Sequence, residues 1–318
     1  MSENIILSTV DLSMCNDEVD TLTNLGYKLI FDDPNSITWL SNTINAKIYI
    51  ASASVKFDDI NFKKTNNLKI LVNPNTGQDH INFDLVNSRN IHFITIKNEY
   101  EMLSKISATS ELAWGLLLNY IRHISKGIEL TKSGRWVREQ LMGRQLLGKK
   151  VGILGLGRLG SITARIGAGF GCELYYHDPH VVSKKIKKLT LVELFRYSDI
   201  IFVHTHLNDN TYHLVNKDLL NKAQNCPIII NTSRANIVNE QAILESINEK
   251  KIEAYLTDVI DGEWLSEKEK KSLNIILKST TSEKVLITPH IGGSTVEGVK
   301  LARSYALKML IKKINENI

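Results

Sequence analysis

The sequence predicts an α/β protein of two domains, each built on a doubly wound parallel sheet. Three observations predict it. Short apolar runs alternate with amphipathic ones from the N-terminus onward, as parallel strands joined by crossover helices require. At Val151 an apolar run enters a glycine-rich turn and the alternation starts afresh. The chain has 318 residues, and single cores tend to split beyond roughly 250. With 43% hydrophobic residues, 23% charged and five prolines, disordered and collagen-like readings are excluded.

In the first part, Ile5–Leu7, Lys47–Ile50, Leu68–Val72 and His92–Ile96 read as strands, with Glu18–Leu25 as a helix between two of them. From Tyr100 to His123, the spacing of Met102, Ile106, Leu112, Leu116, Leu117, Tyr120 and Ile121 predicts one long helix, a candidate bridge between domains. After Val151 the strands expected are Glu173–His177, Asp199–His204, Pro227–Asn231, Glu253–Asp258 and Val285–Thr288. Thr295–Ile314 has helical spacing. We therefore expect a first domain of residues 1–100, completed by a C-terminal helix at 291–318, and a second at 101–290.

No apolar run approaches the ~20 residues of a membrane span, and the start lacks a basic, apolar signal segment, so a cytoplasmic protein is expected. Cys15, Cys172 and Cys226 are scattered and without CxxC spacing, which argues against disulfides and zinc. The net charge of +5 owes much to Lys184, Lys185, Lys187 and Lys188. That run reads as a solvated face, because nucleic-acid binding would need a broader basic stripe. His204 and His206 lack the companions of a metal site.

Gly155-Leu-Gly157-Arg158-Leu159-Gly160 is GxGxxG between a predicted strand and a predicted helix, Ser161–Phe170. Gly155 permits the tight turn, Gly157 admits a pyrophosphate against the backbone, and Gly160 brings helix and strand together. Asp178 ends the next strand, 18 residues past Gly160. An acid there accepts bonds from a ribose 2′-hydroxyl and repels a 2′-phosphate, so the cofactor expected is NAD rather than NADP. The plainer role for Asp178 is to cap the turn before Pro179.

Ligands in doubly wound sheets bind beyond the carboxyl ends of strands. There the sequence places Arg234, Asp258, Glu263 and His290. An arginine can hold a carboxylate and polarise a carbonyl, a histidine can move a proton, and a carboxylate can orient the histidine. Beside a nicotinamide, these suffice to interconvert a 2-hydroxy acid and a 2-oxo acid.

Together these motifs resemble the D-isomer-specific 2-hydroxyacid dehydrogenases over nearly the whole chain. Leu147–Gly160 is similar to the family's cofactor fingerprint and Asn231–Glu240 to its arginine motif. Leu256–Val259 with Glu263 is similar to the aspartate-glutamate motif, and Thr288–Thr295 to the histidine motif. The resemblance implies an NAD-binding Rossmann domain with a smaller flavodoxin-like substrate-binding domain, an active site in the cleft between them, and a homodimer. It implies an oxidoreductase in which Arg234 binds the substrate, His290 is the acid/base, and Glu263 hydrogen-bonds His290 and favours its protonated form. It places Arg158, Leu159, Thr205, Thr232, Ser233, Asp258 and Gly292 against the cofactor, and Asn75, Thr76 and Gly77 in a loop whose backbone N–H groups receive the substrate carboxylate. A phosphorylated substrate would call on Lys47, Lys56, Lys63 or Lys64. This chain departs from the family at Ala235, where glycine is usual, at Asn239 for aspartate, at His206 for proline, and at Ile260-Asp261-Gly262 for a phenylalanine-containing stretch. Alternatives from the same resemblance are a non-catalytic NAD(H)-sensing corepressor and a relative acting on formate or phosphite.

Overall fold

A computed structural model describes residues 4–62, 65, 67–265, 269, 274–279 and 283–316. The chain divides into two compact units, residues 1–106 with 296–318, and residues 107–295. Both divisions fall a few residues later than the expected boundaries.

The first unit carries a five-stranded parallel sheet in the order β2-β1-β3-β4-β5. Its strands are β1 Asn4–Ser8, β2 Tyr27–Phe31, β3 Ala46–Ile50, β4 Ile70–Asn73 and β5 His92–Thr95. The second unit carries a seven-stranded sheet in the order β12-β11-β10-β9-β6-β7-β8. These are β6 Lys150–Leu154, β7 Glu173–His177, β8 Lys187–Lys188, β9 Ile200–Val203, β10 Ile228–Asn231, β11 Ala254–Thr257 and β12 Val285–Ile287. Each recorded pairing is parallel, and β6 lies between β7 and β9. The strand order thus reverses at β6, which opens a crevice at its carboxyl end.

Side-chain alternation explains why these strands read as unbroken apolar runs. In β9, Ile201 and Val203 enter the core on one face while Ile200 and Phe202 enter the core on the other. In β1, Leu7 and Ile6 divide in the same way. Burial on both faces demands apolar residues at successive positions, each stabilising by roughly 1.5–3 kcal/mol. Lys187 and Lys188 form the exposed edge strand β8, where charge discourages pairing with another chain.

The long helix expected over Tyr100–His123 is two helices, α4 Tyr100–Leu103 and α5 Ala108–Arg122. The Ser104 hydroxyl donates to the Glu101 carbonyl at the end of α4, and the Ser107 hydroxyl, just before α5, donates forward to the Glu111 carboxylate. Serines that bond locally compete with the helical ladder and end it there. After α5, His123 adopts a left-handed conformation, with φ 54°, and starts α6 Ile124–Lys132, a helix for which the sequence reading made no prediction. Helix α7, Arg158–Gly169, follows the glycine turn. The C-terminal helix, Val296–Asn315, packs Ala306, Leu307 and Leu310 into the core of the first unit.

Candidate active site

Helix α7 starts directly from the glycine turn. Gly155 has φ +94°, and a Cβ there would lie 2.6 Å from the His204 carbonyl oxygen. A Cβ on Gly160 would overlap the Gly155 carbonyl, whereas at Gly157 nothing stands within 4 Å. The turn is therefore tight at its first and last glycines and open at its middle one, as a cradle for phosphate oxygens requires. Arg158 opens the helix, and burial pushes its guanidinium down.

Asp178 is buried at the end of β7. One oxygen accepts the Leu156 N–H at 2.8 Å, and the other accepts those of His180 and Val181 at 2.8 and 2.9 Å. Burial alone would raise its carboxyl, but these three donors hold it below the usual range. The acid thus caps the turn before Pro179 and ties it to the glycine turn.

At the end of β10, a fully buried Asn231 shapes the arginine turn. Its amide donates to the Arg234 carbonyl at 2.9 Å and its oxygen accepts the Ser233 N–H at 3.0 Å. The Ser233 hydroxyl is anchored to the Val203 carbonyl of β9 at 2.8 Å. The hydroxyl of Thr232 is buried without a hydrogen-bond partner among the described residues. An orphaned buried hydroxyl costs stability unless a ligand meets it, so Thr232 and the open Gly157 turn fit a dinucleotide lying across this sheet end.

His290 also has a left-handed backbone, φ 54°. Asp258, 1% exposed, holds it there: one oxygen accepts the Thr288 hydroxyl at 2.6 Å and the Ile291 N–H at 2.8 Å, and the other accepts the Gly292 N–H at 2.7 Å. A Cβ on Gly292 would sit 2.9 Å from that second oxygen, so glycine permits the approach. Nδ1 of His290 lies 2.9 Å from Oε2 of Glu263, and Trp264 packs against the imidazole with ring centroids 5.6 Å apart. Glu263 is set by a tight turn in which its N–H donates to the Ile260 carbonyl, with Gly262 left-handed at φ 70°.

His204 bonds Thr163 of α7 through Nε2 at 2.8 Å, and burial pushes it down to about 4. In the first unit, Asn73 braces the loop after β4, its amide donating to the Gly77 carbonyl and its oxygen accepting from Asn75. Lys47 donates to Asn4 at 2.6 Å, and Lys63 and Lys64 lie outside the described residues.

The sequence reading carried Asn231 and Thr288 only as the first residues of the arginine and histidine motifs, without a role, and did not single out Thr163.

The description "D-isomer specific 2-hydroxyacid dehydrogenase, NAD binding domain" fits residues 114–292, more than half of the chain. The chain belongs to this family. It is 28% identical over 250 residues to the hydroxypyruvate reductase of Thermotoga maritima, covering 78% of each. It is 30% identical over 255 residues to the D-3-phosphoglycerate dehydrogenase of Bacillus subtilis, covering 79% of this chain and 46% of that one. The D-lactate dehydrogenase of Aquifex aeolicus, solved with NAD and lactic acid, superposes with a TM-score of 0.80 at 21% identity over 99% of this chain and 96% of that one. At that identity the likeness speaks for the fold. With the family come the cofactor, NAD, and the activity class, NAD-dependent dehydrogenation of a 2-hydroxy acid. Among the described residues no helix is long and apolar enough to cross a membrane.

Proposed function

We propose that this dehydrogenase interconverts a D-2-hydroxy acid and its 2-oxo acid with His290 as acid/base, Glu263 as its partner and Arg234 as the substrate anchor. The observation that carries the reading is the 2.9 Å contact between His290 Nδ1 and Glu263 Oε2, made at the carboxyl ends of the strands. It commits Nδ1 to the carboxylate and leaves Nε2 for the substrate oxygen. Bound NADH supplies the hydride and NAD accepts it. During reduction, protonated His290 donates from Nε2 to the oxo oxygen; during oxidation, neutral His290 takes the hydroxyl proton at the same atom. Reduction should accordingly favour the lower pH. Arg234 can bind carboxylate and carbonyl oxygens together through its planar fork. The 2′-hydroxyl of the ribose is assigned to Asp178, and the remaining cofactor contacts to Gly155–Gly160, Thr205, Thr232, Ser233, Asp258 and Gly292. The braced turn Asn75-Thr76-Gly77 is assigned to the substrate carboxylate.

The names of relatives set the first substrates to try, hydroxypyruvate and glyoxylate, followed by a phosphorylated 2-oxo acid. Oxidation of NADH with this panel tests the reading. His290→Ala should cost at least about a hundredfold in kcat, the ordinary contribution of acid–base catalysis. NADH binding without turnover of any 2-oxo acid would favour a sensor instead.

A homodimer and a cytoplasmic location belong to the same proposal. Helix α6 buries no residue within the chain, and Ile124, Ile128, Trp136 and Met142 are exposed. Such an apolar arm fits a second copy. Light scattering should show a dimer that Ile128→Asp with Trp136→Asp converts to monomer.

A further inference from the structure

The geometry points to Glu240 as a positioning residue for Glu263, acting through a clamp on Asp261 that only a carboxylate can complete. This rests on the roles proposed above for Glu263 and His290. Glu240 opens helix α10, Glu240–Asn248, and is 8% exposed. Its Oε1 accepts the Asp261 N–H at 3.0 Å, and its Oε2 accepts the Asn274 amide at 3.2 Å. The same Asn274 amide donates to the Asp261 carbonyl at 2.8 Å. Both backbone polar groups of Asp261 are thus held, two residues before Glu263.

Asp261 is the second residue of the turn whose closing bond runs from the Glu263 N–H to the Ile260 carbonyl at 3.3 Å. Gly262, the third, is left-handed, a conformation that frees the chain to swing as readily as it lets it turn. Among the described residues, one long bond closes this turn beside such a glycine. The clamp on Asp261 supplies what the turn lacks.

The clamp selects a carboxylate by its donors. The Asn274 oxygen is committed to the Leu277 N–H at 2.8 Å, where it caps the helix Ile275–Lys278. Its amide must therefore face Glu240, and Asp261 presents an N–H. Both oxygens of residue 240 meet donors, and a glutamine would set its own NH₂ against one of them. Burial pushes the Glu240 carboxyl up, opposed by the Asp261 N–H, while the Asp261 carboxylate adds to the push. The site thus holds a carboxyl group at a desolvation cost that its donors offset only in part. Its place in the first turn of α10 is also favourable for an anion.

The test is a double-variant cycle on the full chain, with glyoxylate as the smallest 2-oxo acid and NADH affinity read by fluorescence. Glu240→Gln should lower kcat about tenfold, with KM and NADH affinity changed by less than about twofold, because Arg234 and the cofactor turn are untouched. Added to Glu263→Gln, which should impair kcat by itself, it should change kcat by less than about twofold, since a positioning residue has nothing left to position. Asn274→Ser keeps a helix-capping oxygen and removes the amide; it should reproduce the effect, and it carries the same cycle if Glu240→Gln does not fold. A full additional loss in the double variant, or an equal loss of NADH affinity, would show a general structural role and overturn the inference. An unimpaired Glu240→Gln beside an impaired Glu263→Gln overturns it alone. An unimpaired Glu263→Gln overturns the pair and the clamp's purpose with it.

Discussion

Asp258 accepts the backbone N–H of Gly292 at 2.7 Å from across the sheet end, and with its other oxygen it holds Ile291 and Thr288. The residues on both sides of His290 therefore hang from one carboxylate. That carboxylate supports the left-handed backbone of His290, a conformation uncommon outside glycine.

Asp258→Asn sets an amide against those N–H groups. We expect a loss of roughly 1.5–3 kcal/mol in stability, the scale of a hydrogen bond to a charged acceptor. Urea denaturation measures it. Turnover should fall at least about tenfold as His290 is released, and unchanged kcat would show that His290 is held by other contacts.

Arg234→Lys keeps the charge and loses the fork. We expect kcat/KM to fall at least roughly tenfold with NADH affinity little changed. If NADH binding collapses while turnover of bound cofactor survives, Arg234 serves the cofactor.

Cofactor choice tests Asp178. NAD should be preferred over NADP by a large factor, and Asp178→Ala should relax that preference. The variant should also melt earlier, because the Leu156, His180 and Val181 N–H groups lose their acceptor. Equal use of both cofactors by the parent would remove Asp178 from the ribose.

His204 yields a pH dependence. Burial lowers it from 6.5 to about 4 in the folded chain. Above pH 6.5 it is neutral folded or unfolded, and its contribution to stability is fully present. Between 6.5 and 4 the unfolded chain binds a proton that the folded chain refuses, so stability declines through that window and levels off below it. His204→Gln removes this titration. Its loss of unfolding free energy between pH 7 and 4.5 should be smaller than the parent's by about 2 kcal/mol, and parallel curves would disprove the assignment.

Much of the scaffold was legible because its signals are contiguous. Apolar runs predicted β6, β7, β9, β10, β11 and β12, and the glycine spacing predicted the start of α7. The strand β2 was missed although Tyr27, Leu29, Ile30 and Phe31 are apolar or aromatic; it lies at the sheet edge with its residues half-buried or exposed. Helices after Thr190 and Asn239 were missed although both carry caps, Thr190 in a capping box with Glu193 and Asn239 accepting the Ala242 N–H. Those signals lay in the sequence unused.

What the sequence by itself determined was the order of most strands along the chain, the glycine turn before α7, and the polar residues Arg234, Glu263 and His290 set after apolar strands. Each follows from residue types at short, regular spacings. Only the tertiary structure decided which groups meet: His290 with Glu263 across 27 residues, Asp258 with Gly292 across 34, and Glu240 with Asp261 across 21. The reason is physical. A hydrogen bond is made over about 3 Å, and parallel strands bring their carboxyl ends together only after a crossover of a dozen or more residues, so the partners of a residue at a strand end lie far away in sequence and leave no local pattern.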